Sequence, residues 1–185
     1  VLTQTIGERS VRVPGNLARS ADYIEGQMEA MALAVQRQPY RFRNFEVCNV
    51  VARLHASENP SQHYVLGAHY DSVAGTVGAD DNASAVAVLL ETARAVKVLE
   101  NAGRRLPAVT FIAFTLEEPP AFGTRHMGSR VFAKQAKKSG MVIDGMICLE
   151  MVGYTCRAAG CQHYPFPLRF MGYPKEGTFI GIVGN

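Results

Sequence analysis

The chain is 185 residues long, 48% hydrophobic and 19% charged, with a net charge of +3. That apolar content in that length can bury one good core, so a single domain over 1–185 is expected. The basic excess is slight and spread out, which argues against a nucleic-acid or membrane-surface binder, and no run is apolar for long enough to span a bilayer.

The chain opens at Val1 with no initiator Met and no signal-like segment, as though cut from something longer. Val13-Pro14-Gly15-Asn16 carries turn chemistry and an N-cap candidate. Leu17, Ala18, Ala21, Ile24, Met28 and Met31 follow at helical spacing, in a helix expected to fade near Gln38-Pro39. Residues 45–54 read as a strand, 57–61 as a turn and 64–69 as a short buried strand. A Gly-rich loop over 72–78 leads to the strongest helical pattern, 83–99. There Val86, Leu90, Ala93 and Val96 form an apolar stripe, while Glu91, Arg94 and Lys97 form a polar one.

Arg104-Arg105 falls in a loop. Residues 109–116 are almost continuously apolar, as expected for a strand covered on both faces. Residues 129–138 suit a helix that stops at Gly140, with Lys134, Lys137 and Lys138 on its solvated side. Residues 141–151 read as another buried strand, 153–176 as a loop rich in Pro, Gly and aromatics, and 178–183 as the start of one more strand. Strands alternating with helices specify an α/β layer fold with a largely parallel central sheet. In such sheets ligands collect beyond the carboxyl ends of the strands.

Cysteine usage is equivocal. Cys48 and Cys148 lie in apolar strand-like runs, where a small buried hydrophobe is the usual role. Cys156 and Cys161 suit a small disulfide in an oxidising compartment, with two free thiols as the alternative, and their spacing is not that of a zinc knuckle.

Three apolar runs end in groups that could do chemistry: His69-Tyr70-Asp71, Glu117-Glu118 and Glu150. The loop before the best helix adds Asp80-Asp81-Asn82. Such groups at one edge of a sheet are costly to desolvate without a compensating metal or partner. Zinc takes these ligand types, and the two oxygens of a carboxylate such as Asp81 can bridge two ions. Taken singly, each group has a plainer role. His69 could be a satisfied histidine, Asp80-Asp81 helix-end acids, Glu117-Glu118 an acidic strand exit and Glu150 a surface residue. Four together, at successive junctions, favour a shared site.

Gly67-Ala68-His69-Tyr70-Asp71-Ser72, Gly78-Ala79-Asp80-Asp81-Asn82-Ala83-Ser84, Glu117-Glu118, Gly128-Ser129 and Leu149-Glu150-Met151 carry a resemblance. In this order they resemble the co-catalytic zinc exopeptidases of clan MH, typified by bacterial leucyl aminopeptidase and aminopeptidase Y. The resemblance implies a three-layer α/β/α fold and an aminopeptidase acting on peptides with a free N-terminus. It implies two zinc ions, the first held by His69, Asp81 and Glu150 and the second by Asp81 and Glu118. Asp71 would orient His69, and Glu117 would be the general base. A cis peptide is implied at Asp81-Asn82, and a secreted, periplasmic or vacuolar location is common among such proteins.

There are departures. Many relatives have Asp in place of Glu150, and the stretch from Glu118 to Gly128, with Pro119-Pro120, is longer than in the shortest relatives. The resemblance also implies a second-site His downstream of Asn185, and neither His126 nor His163 stands in its expected context. The chain is therefore expected to be a C-terminally truncated domain, lacking strands of the sheet and weakly active or inactive alone. The competing readings are a glutaminyl-cyclase-like single-zinc transferase and an inactive peptidase-like binding module. His69 with the complete Asp-Asp-Asn-Ala-Ser element weighs against the first, and intact Glu117 and first-site ligands weigh against the second.

Overall fold

The computed structural model describes residues 1–54 and 62–184. The turn expected over 57–61 lies outside the described residues. Two compact units are present, Val1–Met151 and Val152–Asn185.

In the first unit, helix α1 (Pro14–Glu29) is followed by strands β1 (Ala34–Phe42), β2 (Phe45–Leu54) and β3 (His63–His69). Helix α2 (Ala85–Asn101), strand β4 (Ala108–Phe114), helix α3 (Gly128–Lys138) and strand β5 (Gly145–Cys148) complete it. The five strands form one sheet in the order β1-β2-β4-β3-β5. β5, β3 and β4 are mutually parallel, whereas β2 runs antiparallel to both β4 and β1.

The crossover from β3 through α2 goes to β4, while the crossover from β4 through α3 returns past β3 to β5. Right-handed crossovers in opposite directions put α2 and α3 on opposite faces, which makes the three layers. On the α3 face, Phe132 and Ala136 pack with Val51, Val65, Ile112 and Phe114. The same reversal opens a crevice beyond the carboxyl ends of β3 and β4, the usual ligand position in such sheets.

β2, β3, β4 and helices α2 and α3 fall where the sequence places them, within a few residues. Five expectations are corrected. The first helix ends at Glu29 rather than fading near Pro39, because residues 34–42 form edge strand β1. Pro39 fits there since an edge strand has donors that need no partner. Asn16 is not the N-cap: Pro14 takes the first helical position, and the Asn16 amide donates to Ile6 O and Glu8 O, both at 2.8 Å.

The buried strand expected over 141–151 is a four-residue edge strand, with Met146 and Ile147 exposed. Met141 and Ile143, partly buried, pack against the α3-face core, and Cys148 is an exposed thiol. Residues 178–183 form no strand among the described residues; Ile180, Ile182 and Val183 are exposed. In the second unit, Cys156 and Cys161 form a disulfide, and Cys156 bridges antiparallel to Gly177.

Two close approaches hold the sheet to its surroundings. A Cβ on Gly67 would collide with the buried Phe114 ring. Fully buried Asn49 on β2 donates to Gly128 O at 2.9 Å and accepts from Thr115 N at 3.1 Å, tying the start of α3 to the end of β4. Gly67→Ala is expected to destabilise the fold by about 1–3 kcal/mol through overpacking, read as a lower denaturation midpoint in urea with an unchanged slope.

Candidate metal centre

The end of β3 delivers His69, Tyr70 and Asp71, all buried. Beyond β4, Leu116 adopts φ 58° and turns the chain so that Glu117 and Glu118 come back over the strand ends. Their backbone N–H groups donate to one carboxylate: Glu117 N to Asp71 Oδ1 at 3.1 Å and Glu118 N to Asp71 Oδ2 at 3.0 Å. Asp71 therefore fixes the β4 exit as well as facing His69, whose Nδ1 lies 3.4 Å from Asp71 Oδ1.

Asp81 sits in a wide helical turn, Ala79–Ser84, where the backbone leaves helical angles at Asp81 and Asn82. The Asp81-Asn82 peptide is cis. Gly78 opens this turn at φ 49°, and a side chain there would strike Asp81 O, Ser72 and Arg9, so only glycine suits the position. Glu150 follows β5 at its carboxyl end.

These elements converge on His69 Nε2. It lies 3.2 Å from Asp81 Oδ1, 3.4 Å from Glu150 Oε1 and 3.9 Å from Glu117 Oε2. His69, Asp81 and Glu150 each bring one donor atom within 4.8 Å of the others, as do His69, Glu117 and Glu118. Asp81 Oδ1 and Glu118 Oε1 are buried and make no hydrogen bond among the described residues. Buried carboxylate oxygens normally find a partner. An arrangement of one imidazole and several unsatisfied carboxylate oxygens could hold a divalent cation. The structure brings all six expected side chains to one place.

Electrostatics follow the crowding. Burial alone would lower the His69 pKa, but the Asp71 and Glu150 carboxylates outweigh it and push the group up to about 11. Burial, with Asp81 next, pushes Glu118 up to about 7. Burial also raises Glu117, with His69 opposing.

Two further residues support these side chains: Asn82, legible in the sequence only as part of the Asp80-Asp81-Asn82 run, and Arg9, which left no signal there. Asn82, fully buried, donates through Nδ2 to Leu149 O at 3.0 Å and Glu150 Oε2 at 3.2 Å, and its Oδ1 accepts from Met151 N at 3.1 Å. It clamps three consecutive residues around Glu150. Arg9, also fully buried, donates to the carbonyls of Tyr70 at 2.6 Å, Val77 at 2.6 Å and Gly78 at 3.0 Å, framing the loop that leads to Asp81. Its burial lowers its pKa, and the charges of Asp71 and Asp81 counter that shift.

The raised His69 pKa sets a pH dependence for the metal-free chain. An unfolded histidine loses its proton near 6.5 while the folded one keeps it, so this stabilisation is complete below about pH 6.5 and is lost as pH rises towards about 11. By pH 8 the loss amounts to about 2 kcal/mol. Urea unfolding at pH 6 and pH 8 checks the sign, and imidazole NMR shifts should show His69 still protonated at pH 8. A neutral ring at pH 8 contradicts it.

The model of peptidase family M28 matches residues 49–170. The protein YfbL of Escherichia coli strain K12, uncharacterized by name, is 38% identical over 194 residues, covering 100% of this chain and 57% of that protein. A probable zinc metalloprotease of Leptosphaeria maculans is 29% identical over 182 residues, covering 90% of this chain and 39% of that protein. The chain thus spans about half the length of these relatives or less. Among solved structures, the LapA aminopeptidase of Legionella pneumophila superposes with a TM-score of 0.67 at 19% identity, over 83% of this chain and 41% of that one. Glutaminyl cyclase of Porphyromonas gingivalis superposes with a TM-score of 0.65 at 22% identity, over 83% and 56%. At such identities the likeness is one of fold, a mixed α/β layer fold shared with zinc exopeptidases. With two thirds of its length matched by the family model and its acidic cluster at the strand ends, the chain belongs to peptidase family M28.

Proposed function

We propose that the protein carrying this chain is a zinc-dependent aminopeptidase that hydrolyses the first peptide bond of substrates with a free N-terminus. The observation that carries the reading is the meeting of His69, Asp81 and Glu150 donor atoms within 4.8 Å, with Glu117 Oε2 3.9 Å from His69 Nε2. His69, Asp81 and Glu150 would hold one zinc, and the buried, unsatisfied oxygens of Asp81 and Glu118 fit a second. Bound zinc supplies Lewis acidity, lowering the pKa of water and polarising the scissile carbonyl.

The remaining chemistry belongs to the chain. Glu117, half-exposed and raised by burial, takes a proton from the attacking water and returns it to the departing amine. Asp71 faces Nδ1 of His69, so Nε2 is the nitrogen aimed into the site, and it holds Glu117 in reach through the Glu117 N–H. Asn82 keeps Glu150 Oε1 turned towards His69 by engaging Oε2. The surplus of carboxylates attracts a protonated substrate amine, which favours cleavage at the N-terminus over an internal bond. The glutaminyl-cyclase alternative rests on likeness of fold alone, and no feature of the site favours it.

Glu117→Gln is expected to lower kcat on an aminoacyl chromogenic substrate by about 10²–10⁴-fold with zinc content unchanged. Asp81→Ala is expected to lose the metal itself. Elemental analysis and steady-state kinetics on the protein carrying this chain read both outcomes. Full activity in Glu117→Gln, or cyclisation of N-terminal glutamine in place of hydrolysis, would overturn the reading.

A further inference from the structure

The carboxylates gathered at the metal centre have a counterpart of opposite sign on the same edge of the sheet. Residues 119–143 contain Arg125, Arg130, Lys134, Lys137 and Lys138 and no Asp or Glu. Residues 36–45 contain Arg37, Arg41 and Arg43 and again no acid. The fold brings these two stretches together as the walls of a groove of about 710 Å³, whose lining includes Tyr40, Arg41, Arg125, His126, Lys134 and Lys138. Among the described residues no carboxylate lines it, and the nearest by strand register is Glu46, opposite Arg41 on β2.

Arg41, Arg125, Lys134 and Lys138 are all exposed, and among the described residues none makes an ion pair within 4 Å. By contrast, Arg37 on the same strand is paired with Asp22 at 2.6 Å and with Glu25. Cations that converge from a strand, a loop and a helix make a local positive potential, which Glu46 beside Arg41 offsets only in part. A scattered solvated face does not do this.

The topology relates this groove to the metal centre. β1 and β4 both run antiparallel to β2, and β3 is parallel to β4, so Arg41 lies near the same sheet edge as His69. The Tyr40 hydroxyl, in the groove wall, donates to Thr115 O at 3.4 Å, two residues before Glu117. Arg125 and His126 belong to the connection that begins at Glu117-Glu118 and ends where α3 starts. Three strand spacings separate β1 from β3, roughly 14 Å, which about four residues of extended peptide span.

We propose that the groove receives acidic residues of the peptide substrate, from about the fourth position onward, while its free amine lies among the carboxylates. This selects peptides with an acidic segment downstream of the free amine. The inference rests on the aminopeptidase reading and deepens it by naming a substrate class. Arg125 and Lys134 reach the ligand only through charge and hydrogen bonds, so discrimination comes from several solvent-exposed pairs acting together. At typical values for such pairs this gives about a tenfold preference at low salt, fading at high salt.

The test uses the protein carrying this chain and three substrates with the same first residue: an aminoacyl nitroanilide, a peptide with Glu at positions four to six, and the same peptide with Gln there. The Glu peptide should show about tenfold higher kcat/KM than the Gln peptide at low salt, and near parity in 0.5 M NaCl. Arg41→Glu combined with Lys134→Glu should abolish the preference and leave nitroanilide turnover unchanged. Equal kcat/KM for the two peptides, or a preference that survives the double variant, overturns the proposal. Failure to hydrolyse the nitroanilide would instead strike the aminopeptidase reading. Fluorescence anisotropy of the labelled peptides then reads the groove alone, where equal binding of both tails overturns it. Competition by single-stranded RNA with no discrimination between tails would assign the groove to nucleic acid and likewise overturn it.

Discussion

Holding five carboxylates around a single imidazole is the constraint from which this structure is best understood. Asp71, Asp81, Glu117, Glu118 and Glu150 crowd the carboxyl ends of β3, β4 and β5, with Asp71 and Glu118 buried. Like charges at this separation repel, and burial removes the water that would screen them. The high pKa of His69 and the raised pKa values of Glu117 and Glu118 are the visible consequences. A positive charge at the centre relieves all of them at once. A protonated His69 does so partly, and a divalent cation at the oxygens of Asp81 and Glu118 does so more completely.

The surrounding fold is organised to keep that crowding in place. The crossover reversal at β3 and β4 opens the crevice, and Asp71 locks the β4 exit through two backbone N–H groups. Arg9 holds the loop before Gly78 by its carbonyls, so the guanidinium stays near Asp71 and Asp81 without neutralising either by direct pairing. Asn82 joins the Asp81 turn to the Glu150 segment, two pieces of chain 68 residues apart. These contacts run from side chain to backbone or between side chains across long sequence separations. Losing any one of them moves a carboxylate rather than merely loosening a loop.

The same distinction explains what was legible in the sequence. β2, β4 and α2 declare themselves because burial on one or both faces imposes a period that the residues 45–54, 109–116 and 83–99 display. His69, Glu117, Glu118 and Glu150 were legible because charged groups at the ends of apolar runs break that pattern conspicuously, and Asp81 because it stands in the loop before the strongest helical pattern. β1 was not, since the Ala, Val and Gln of 34–38 lack a strong strand signature and Pro39 reads as a break when its edge position is unknown. β5 was overestimated because 141–151 is apolar, although Val142, Met146 and Ile147 are exposed. Arg9 could not be found at all, and Asn82 was legible only as a member of its motif, not as a clamp: a polar side chain that bonds to distant carbonyls has no periodicity to betray it. The basic groove between β1 and α3 is likewise invisible until the two stretches are side by side.

If the imidazolium and the metal are alternative ways of relieving one cluster, then binding the second must expel the proton of the first. Calorimetric titration of zinc into the metal-free protein at pH 7.5, in two buffers of different ionisation enthalpy, counts that proton directly. The account predicts tight zinc uptake with release of about one proton or more per ion, chiefly from His69, and loss of that release in Asp81→Ala along with the binding. Zinc binding with no proton released, or no zinc binding at all, would contradict it.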